Sequence, residues 1–250
     1  MKTTILRVLL LATLIMLVGG NAGATGSSGW PKIYSHGPRD GKYVALTFDD
    51  APRSTTVQLL DILGNLDVPA TFFVEGLFAS REPDSLLEIA KRGFEIGNHS
   101  YNHPDMKLVT DDVRRTELQS TNDIICRIAG ITPYLFRPPG GSYNARVADI
   151  AFGKDMTTVL WTVQCGDYKE PTRDFIVNRV LSLTRPGAII LLHDGLENTR
   201  EAVPEIVNTL RNRGYTFVTV GQMLEMTNGQ CQWQSYYDDK VQYETLPPVF

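Results

Sequence analysis

Three cysteines, Cys126, Cys165 and Cys231, are too few for a disulfide framework. At most one internal bridge can form among them, and one thiol is left over even in an oxidising compartment. No cluster of Lys and Arg exists that would track a phosphate backbone. The formal charge of the 250 residues is -4, and setting aside the segment that carries Lys2 and Arg7 takes it to -6, so nucleic acid is not an expected partner. No apolar stretch reaches the ~20 residues needed to cross a bilayer. There is no internal repeat, no low-complexity block, and no Gly-rich dinucleotide turn after Phe48.

At the N-terminus, Lys2 and Arg7 precede the apolar run Val8–Val18, which leads to the small-x-small triplet Ala22-Gly23-Ala24. This order predicts a secretory signal peptide over 1–24, and a location outside the cell or in its envelope, with membrane anchoring if the segment stays uncleaved. A lead-in over 25–42 and a tail over 226–250 flank a single domain over 43–225. The remaining length is enough for one well-buried core.

Within that domain short apolar strands alternate with longer helical patterns. Seven strands are predicted: Val44–Phe48, Ala70–Val74, Gly93–Gly97, Leu135–Arg137, Thr158–Trp161, Ala188–Leu192 and Thr216–Val218. Helical spacing falls over Thr56–Leu66, Ser85–Arg92, Thr110–Ala129, Arg173–Leu183 and Glu201–Arg213, several of them stopping at Gly or Pro. Strand-helix alternation with this many strands predicts an α/β fold, a distorted seven-stranded barrel related to the eight-stranded β/α barrel.

The chemistry-bearing residues sit at the strand ends. Asp49 and Asp50 follow the first strand, His99 and His103 the third, Arg137 ends the fourth, Asp167 follows the fifth and His193 the sixth. In a β/α barrel such ends open onto one face. Asp50, His99 and His103 offer a carboxylate and two imidazoles, a set suited to Zn²⁺ or another divalent ion such as Co²⁺ with positions left open. The Asp pair alone would read as a turn or helix cap, and the His pair alone as loop histidines, but only four histidines exist and three gather at strand ends. Beside such a site Asp49 is placed to act as a base and His193 to give a proton to a leaving group. Arg137 is expected to hold Asp49 through a bidentate pair, and Asp167 to orient Arg137 or His193, although each pair by itself is also a common structural salt bridge.

Five ordered motifs resemble the NodB-type polysaccharide deacetylases, carbohydrate esterase family 4: Thr47-Phe48-Asp49-Asp50, His99-Ser100-Tyr101-Asn102-His103, Arg137-Pro138-Pro139-Gly140-Gly141, the stretch from Trp161 to Tyr168, and Leu191-Leu192-His193. The resemblance spans 43–224 and implies a distorted β/α barrel that removes N-acetyl groups from N-acetylhexosamine residues of a polysaccharide, with release of acetate. It implies Asp49 as base, His193 as acid, Arg137 and Asp167 as their supports, and Asp50, His99 and His103 as metal ligands. A backbone N–H near Gly140, in the substrate-binding loop, would bind the oxyanion, Leu191 would line the pocket for the acetyl methyl group, and Tyr168 would form a wall of the groove. Ala51-Pro52 stands where the family usually has Gly-Pro, Gly140 where an aromatic is common, Gln164 in place of a frequent Asp and Tyr168 in place of a frequent Trp. The departures leave open an inactive, metal-containing carbohydrate-binding domain, and an O-acetyl polysaccharide esterase is a second alternative. A polysaccharide is the expected partner, and no protein partner is indicated.

Overall fold

The computed structural model of the chain describes residues 32–169 and 171–227. The segment 1–24 read as a signal peptide, most of the tail and Cys231 lie outside the described residues.

All strand pairings are parallel, and nine strands form one curled sheet. They are β1 (Ile33–Tyr34), β2 (Tyr43–Ala51), β3 (Thr71–Val74), β4 (Glu95–Asn98), β5 (Leu135–Phe136), β6 (Thr157–Val159), β7 (Val163–Gln164), β8 (Ala188–His193) and β9 (Thr216–Phe217). The order runs β1-β6-β5-β4-β3-β2-β8-β7, with β9 against the first residues of β2. Seven of these are the predicted strands. The other two, β1 and β7, are two residues each, and unlike the equally short β5 and β9 they were not read from the sequence. β1 falls in the stretch read as a lead-in.

Helices α1 (Thr56–Asn65), α2 (Gly76–Arg81), α3 (Pro83–Lys91), α4 (Asp111–Ala129), α5 (Ala145–Phe152), α6 (Arg173–Leu183), α7 (Glu197–Asn212) and α8 (Val220–Met226) connect them. None among the described residues is long and apolar enough to cross a membrane. α4 shows why its bounds are sharp: Thr110 accepts a hydrogen bond from the Val113 N–H, Asp111 and Asp112 sit in the first turn, and Gly130 ends it at φ 70°. α7 starts four residues before the predicted Glu201. A start at Glu201 would put Pro204 in the first turn, where a missing N–H costs nothing; in the structure Pro204 is inside the helix, which forgoes one backbone bond there.

Alternation along the strands sorts the core. Val44, Leu46 and Phe48 of β2 and Ile190 and Leu192 of β8 pack with the helices, against Leu59, Leu60 and Leu63 of α1 and Ile206 and Leu210 of α7. The intervening Ala45 and Ile189 belong to a separate cluster with Phe73, Leu135 and Val159, which α8 closes with Val220, Met223 and Leu224. That inner face carries Thr47 and Asp49 up β2, and Leu191 and His193 up β8.

The sheet is drawn round by the chain itself. The Leu160 N–H bonds to the Tyr34 carbonyl of β1, and the Thr162 N–H bonds to that of Ile189 in β8. Trp161 alone separates the two donors, so the amides that reach the two sides of the path lie within about 7 Å of each other.

Candidate metal and catalytic site

The carboxyl end of β2 is irregular in a way that serves the site. Phe48 pairs with Phe72 and Ala51 with Val74, so β2 spends one more residue than β3 over that interval. Asp50 takes φ 61° within this bulge, and Asp49 and Asp50 therefore need not point to opposite faces as strand neighbours would. The left-handed residue is Asp50 and not Ala51, so replacing the family's Gly by Ala51 puts no side chain at a positive φ. Ser100 (φ 65°) and His103 (φ 56°) are left-handed too, and three such non-Gly residues in one site mark backbone held against its preference.

Asp50, His99 and His103 each bring one ligand atom into a group spanning no more than 4.8 Å. The His99 Nε2 lies 3.5 Å and the His103 Nε2 3.6 Å from Asp50 Oδ1. That oxygen is buried and has no hydrogen-bond partner, an expensive state for a carboxylate unless a cation takes it up. His99 Nδ1 lies 2.7 Å from the Arg137 carbonyl, an acceptor only, which puts the ring proton there and leaves the Nε2 lone pair facing Asp50. Burial pushes the His99 pKa down and outweighs the neighbouring carboxylates, keeping the ring neutral. Orphaned oxygen, paired imidazoles and correct tautomer together fit a divalent cation.

Two charged pairs flank this group. Arg137, with none of its surface exposed, donates from Nη1 to Asp49 Oδ1 at 2.7 Å and to Thr47 Oγ1 at 2.7 Å. Its Nη2 goes instead to the Leu160 carbonyl at 3.2 Å, so the contact with Asp49 is made by a single nitrogen and not by the bidentate fork expected. The guanidinium also stacks on Phe73, 4.0 Å from the ring centroid. Across the β2–β8 register Asp49 faces His193. His193 Nδ1 bonds Asp167 Oδ1 at 2.8 Å, while Asp167 Oδ2 accepts from the His193 N–H and from Thr199 Oγ1. Asp167 thus serves His193; its two oxygens are taken up there. Burial would raise the Asp167 pKa, but these bonds and the His193 charge hold it below the usual carboxylate range.

The remaining sequence candidates divide. Tyr168 is half exposed, packs edge-on against His193 with centroids 5.6 Å apart, and lines an open cleft of about 520 Å³ together with Asp50 and His193. Gly140 (φ 58°) meets open space where a Cβ would be, and the neighbouring turn spends the Gly141 and Ser142 N–H groups on Pro138 and Pro139 but not that of Gly140. Leu191 is buried and is not among the cleft-lining residues. Gln164 is exposed, its carbonyl bonded by Arg179. Cys126 and Cys165 are free thiols.

Three residues of the site escape a reading by motif. Glu117 on α4 accepts from the Tyr101 and Asn102 N–H groups and from the Asn102 side chain, clamping the loop between the two histidines. Its signal was position: Arg114, Glu117, Leu118 and Thr121 share the buried face of α4. Asp194 is buried beside His193 and bonds Thr56 and the Gly195 N–H, tying the end of β8 to the start of α1. Arg53 donates from Nε to the Asp50 carbonyl at 2.6 Å.

Comparison with known proteins points one way. The profile of the family described as polysaccharide deacetylase matches residues 36–159. A peptidoglycan-N-acetylglucosamine deacetylase of Bacillus cereus is 35% identical over 204 residues, 78% of this chain and 74% of that protein. A peptidoglycan-N-acetylmuramic acid deacetylase of Bacillus subtilis is 38% identical over 186 residues, 74% of this chain. The chain spans only 39% of the latter's length and 53% of an uncharacterised Bacillus subtilis protein 39% identical to it. Among solved structures, a peptidoglycan N-acetylglucosamine deacetylase superposes with a TM-score of 0.76 at 35% identity, covering 78% of this chain and 94% of that one. A CE4-family pseudoenzyme from Bacillus anthracis superposes at 0.73 with 34% identity, covering 76% and 68%.

Proposed function

Because this chain belongs to the polysaccharide deacetylase family, we propose that it is a metal-dependent hydrolase that removes N-acetyl groups from the N-acetylhexosamine residues of a peptidoglycan- or chitin-like polysaccharide. The observation that carries the proposal is the facing of Asp49 and His193 across β2 and β8, each held by its own charged partner, beside the orphaned oxygen of Asp50. A binding module has no use for a base and an acid so arranged, which weighs against the inactive reading despite the likeness to a pseudoenzyme.

Asp50, His99 and His103 are the residues that would hold the ion, with Zn²⁺ the expected occupant. When bound, a divalent ion supplies Lewis acidity for the acetamide carbonyl and lowers the pKa of water. Asp49 accepts the proton of the attacking water; Arg137 on its Oδ1 fixes the carboxylate and leaves Oδ2 for that task. The Gly140 N–H donates to the carbonyl oxygen as negative charge develops on it. His193, its Nδ1 fixed on Asp167, delivers a proton from Nε2 to the departing amine, and acetate leaves. Tyr168 walls the sugar side of the cleft. The charged and apolar order of residues 1–24 supports action outside the cytoplasm.

The test is acetate release by the purified protein from N-acetylglucosamine oligomers and from peptidoglycan. Release should stop with a chelator and return with zinc, and Asp49→Asn should lower turnover by about 10²- to 10⁴-fold with an unchanged circular dichroism spectrum. Release that a chelator does not touch would remove the metal from the proposal. Release from O-acetylated xylan alone would transfer the activity to esters.

A further inference from the structure

We infer that the cleft beside the catalytic residues holds a carboxylate-binding subsite built on Arg53 and Arg81, so that the preferred substrate carries a carboxylate on a sugar next to the residue that loses its acetyl group. The inference rests on the deacetylase reading for the identity of the ligand as a polysaccharide. Arg53 and Arg81 line the same cleft as Asp50, Tyr168 and His193.

Arg53 is built in, unlike a loose surface cation. Its Nε is spent on the Asp50 carbonyl and its Nη2 lies 3.5 Å from Asp50 Oδ2, while no hydrogen bond among the described residues uses Nη1. The guanidinium lies over Phe78, its Cζ 3.4 Å from the ring centroid, which restrains it. Its stem rests on Gly195: a Cβ there would come 2.8 Å from Arg53 Cγ, at a φ of 86° that disfavours any side chain. The Arg53 N–H also bonds Thr56 Oγ1, which in turn reaches Asp194. An arginine ordered in advance loses little entropy when it captures an anion.

Arg81 stands three residues after Phe78 on α2, hence on the same face of that helix. The helix is hung on the histidine loop by the Gly76 and Leu77 N–H groups, bonded to the carbonyls of Ser100 and Tyr101. Arg81 is exposed and makes no hydrogen bond or ion pair among the described residues, though its charge and that of Arg53 act on the buried Glu75 carboxyl. The acids that share the cleft have other employment. Asp194 accepts from Thr56 and Gly195, Asp50 belongs to the cation group, and Glu82 sits at the N-terminus of α3, where the helix dipole favours its charge. A planar guanidinium with an open edge, backed by a second cation, matches a carboxylate in shape and charge.

Two kinds of sugar carry that group, a lactyl ether as in N-acetylmuramic acid and a uronic acid. Three oligosaccharides of equal length, neutral N-acetylglucosamine, one alternating with N-acetylmuramic acid and one alternating with uronic acid, are titrated calorimetrically into the chelator-treated protein and assayed for acetate release by the zinc-loaded one. At least one acidic oligomer should bind about tenfold more tightly than the neutral one, an advantage that fades with salt, disappears in Arg81→Gln and inverts in Arg81→Glu. Whichever acid is favoured identifies the source of the carboxylate. Equal affinities for all three, or an advantage that survives Arg81→Gln, overturns the subsite. Absence of acetate release from every oligomer would instead sink the deacetylase reading, and the titrations would still decide the subsite.

Discussion

Arg137 is a full positive charge without contact with solvent, and every polar atom it touches belongs to the site or to the segment beside it. Removing it strands the Asp49 carboxylate in the interior. Arg137→Ala should therefore cost about 3–5 kcal/mol in denaturant unfolding, well beyond an ordinary surface substitution. His193 makes the residue-scale case for pH. Burial alone would lower its pKa, but the hydrogen bond to Asp167 and the charges of Asp167, Asp49 and Asp50 lift it to about 8. As the proposed acid, His193 must carry its proton, so turnover should fall as pH rises through about 8. In Asp167→Asn burial wins, and the fall should move toward acid; NMR titration of the His193 ring checks the same shift without turnover. The donors and acids were legible because their chemistry is written in residue type and order. Arg53, Glu117 and Asp194 were not, since each acquires its role from a contact distant in sequence or through a backbone atom, as with Thr56 and Asp194, 138 residues apart.

At the scale of elements, α4 does two jobs. Its caps and apolar face made it readable to within a residue, yet its contribution to the site comes from Glu117, which holds two successive amides of a loop that contains two left-handed residues. Without that clamp the loop would relax toward ordinary backbone, carrying His103 away from Asp50. Glu117→Ala should weaken metal binding about 10- to 100-fold, measured by competition with a chromophoric chelator, while the fold persists. The short helices α2, α5 and α8 went unread for a physical reason. Helices of six to eight residues complete at most about two turns, and α8 is fixed by contacts distant in sequence: Glu95 accepts from the Gly221 N–H and Thr219, and Val220, Met223 and Leu224 pack into the inner cluster. The β2 bulge is likewise invisible in a string of letters, because the extra residue exists only relative to the register of β3.

Across the whole molecule the alternation of strand and helix was enough to give a parallel sheet curled under helices, as in the related solved structures, with the candidate site residues at its strand ends. What alternation could not give was the manner of closure. β1 and β7 take their places by pairing with β6 and β8, and neither is long enough to be stable alone. The closure depends on residues 160–162, and Arg137 bonds the carbonyls of Val159 and Leu160 at that same place. The join and Asp49, the proposed base, thus share one clasp. Fraying there, before the sheet comes apart, would release the guanidinium from Asp49, so the protein should fall silent before it melts. In graded urea, hydrolysis should decline at concentrations where far-ultraviolet circular dichroism is still native, and the amides of Leu160 and Thr162 should begin to exchange with solvent over that same range.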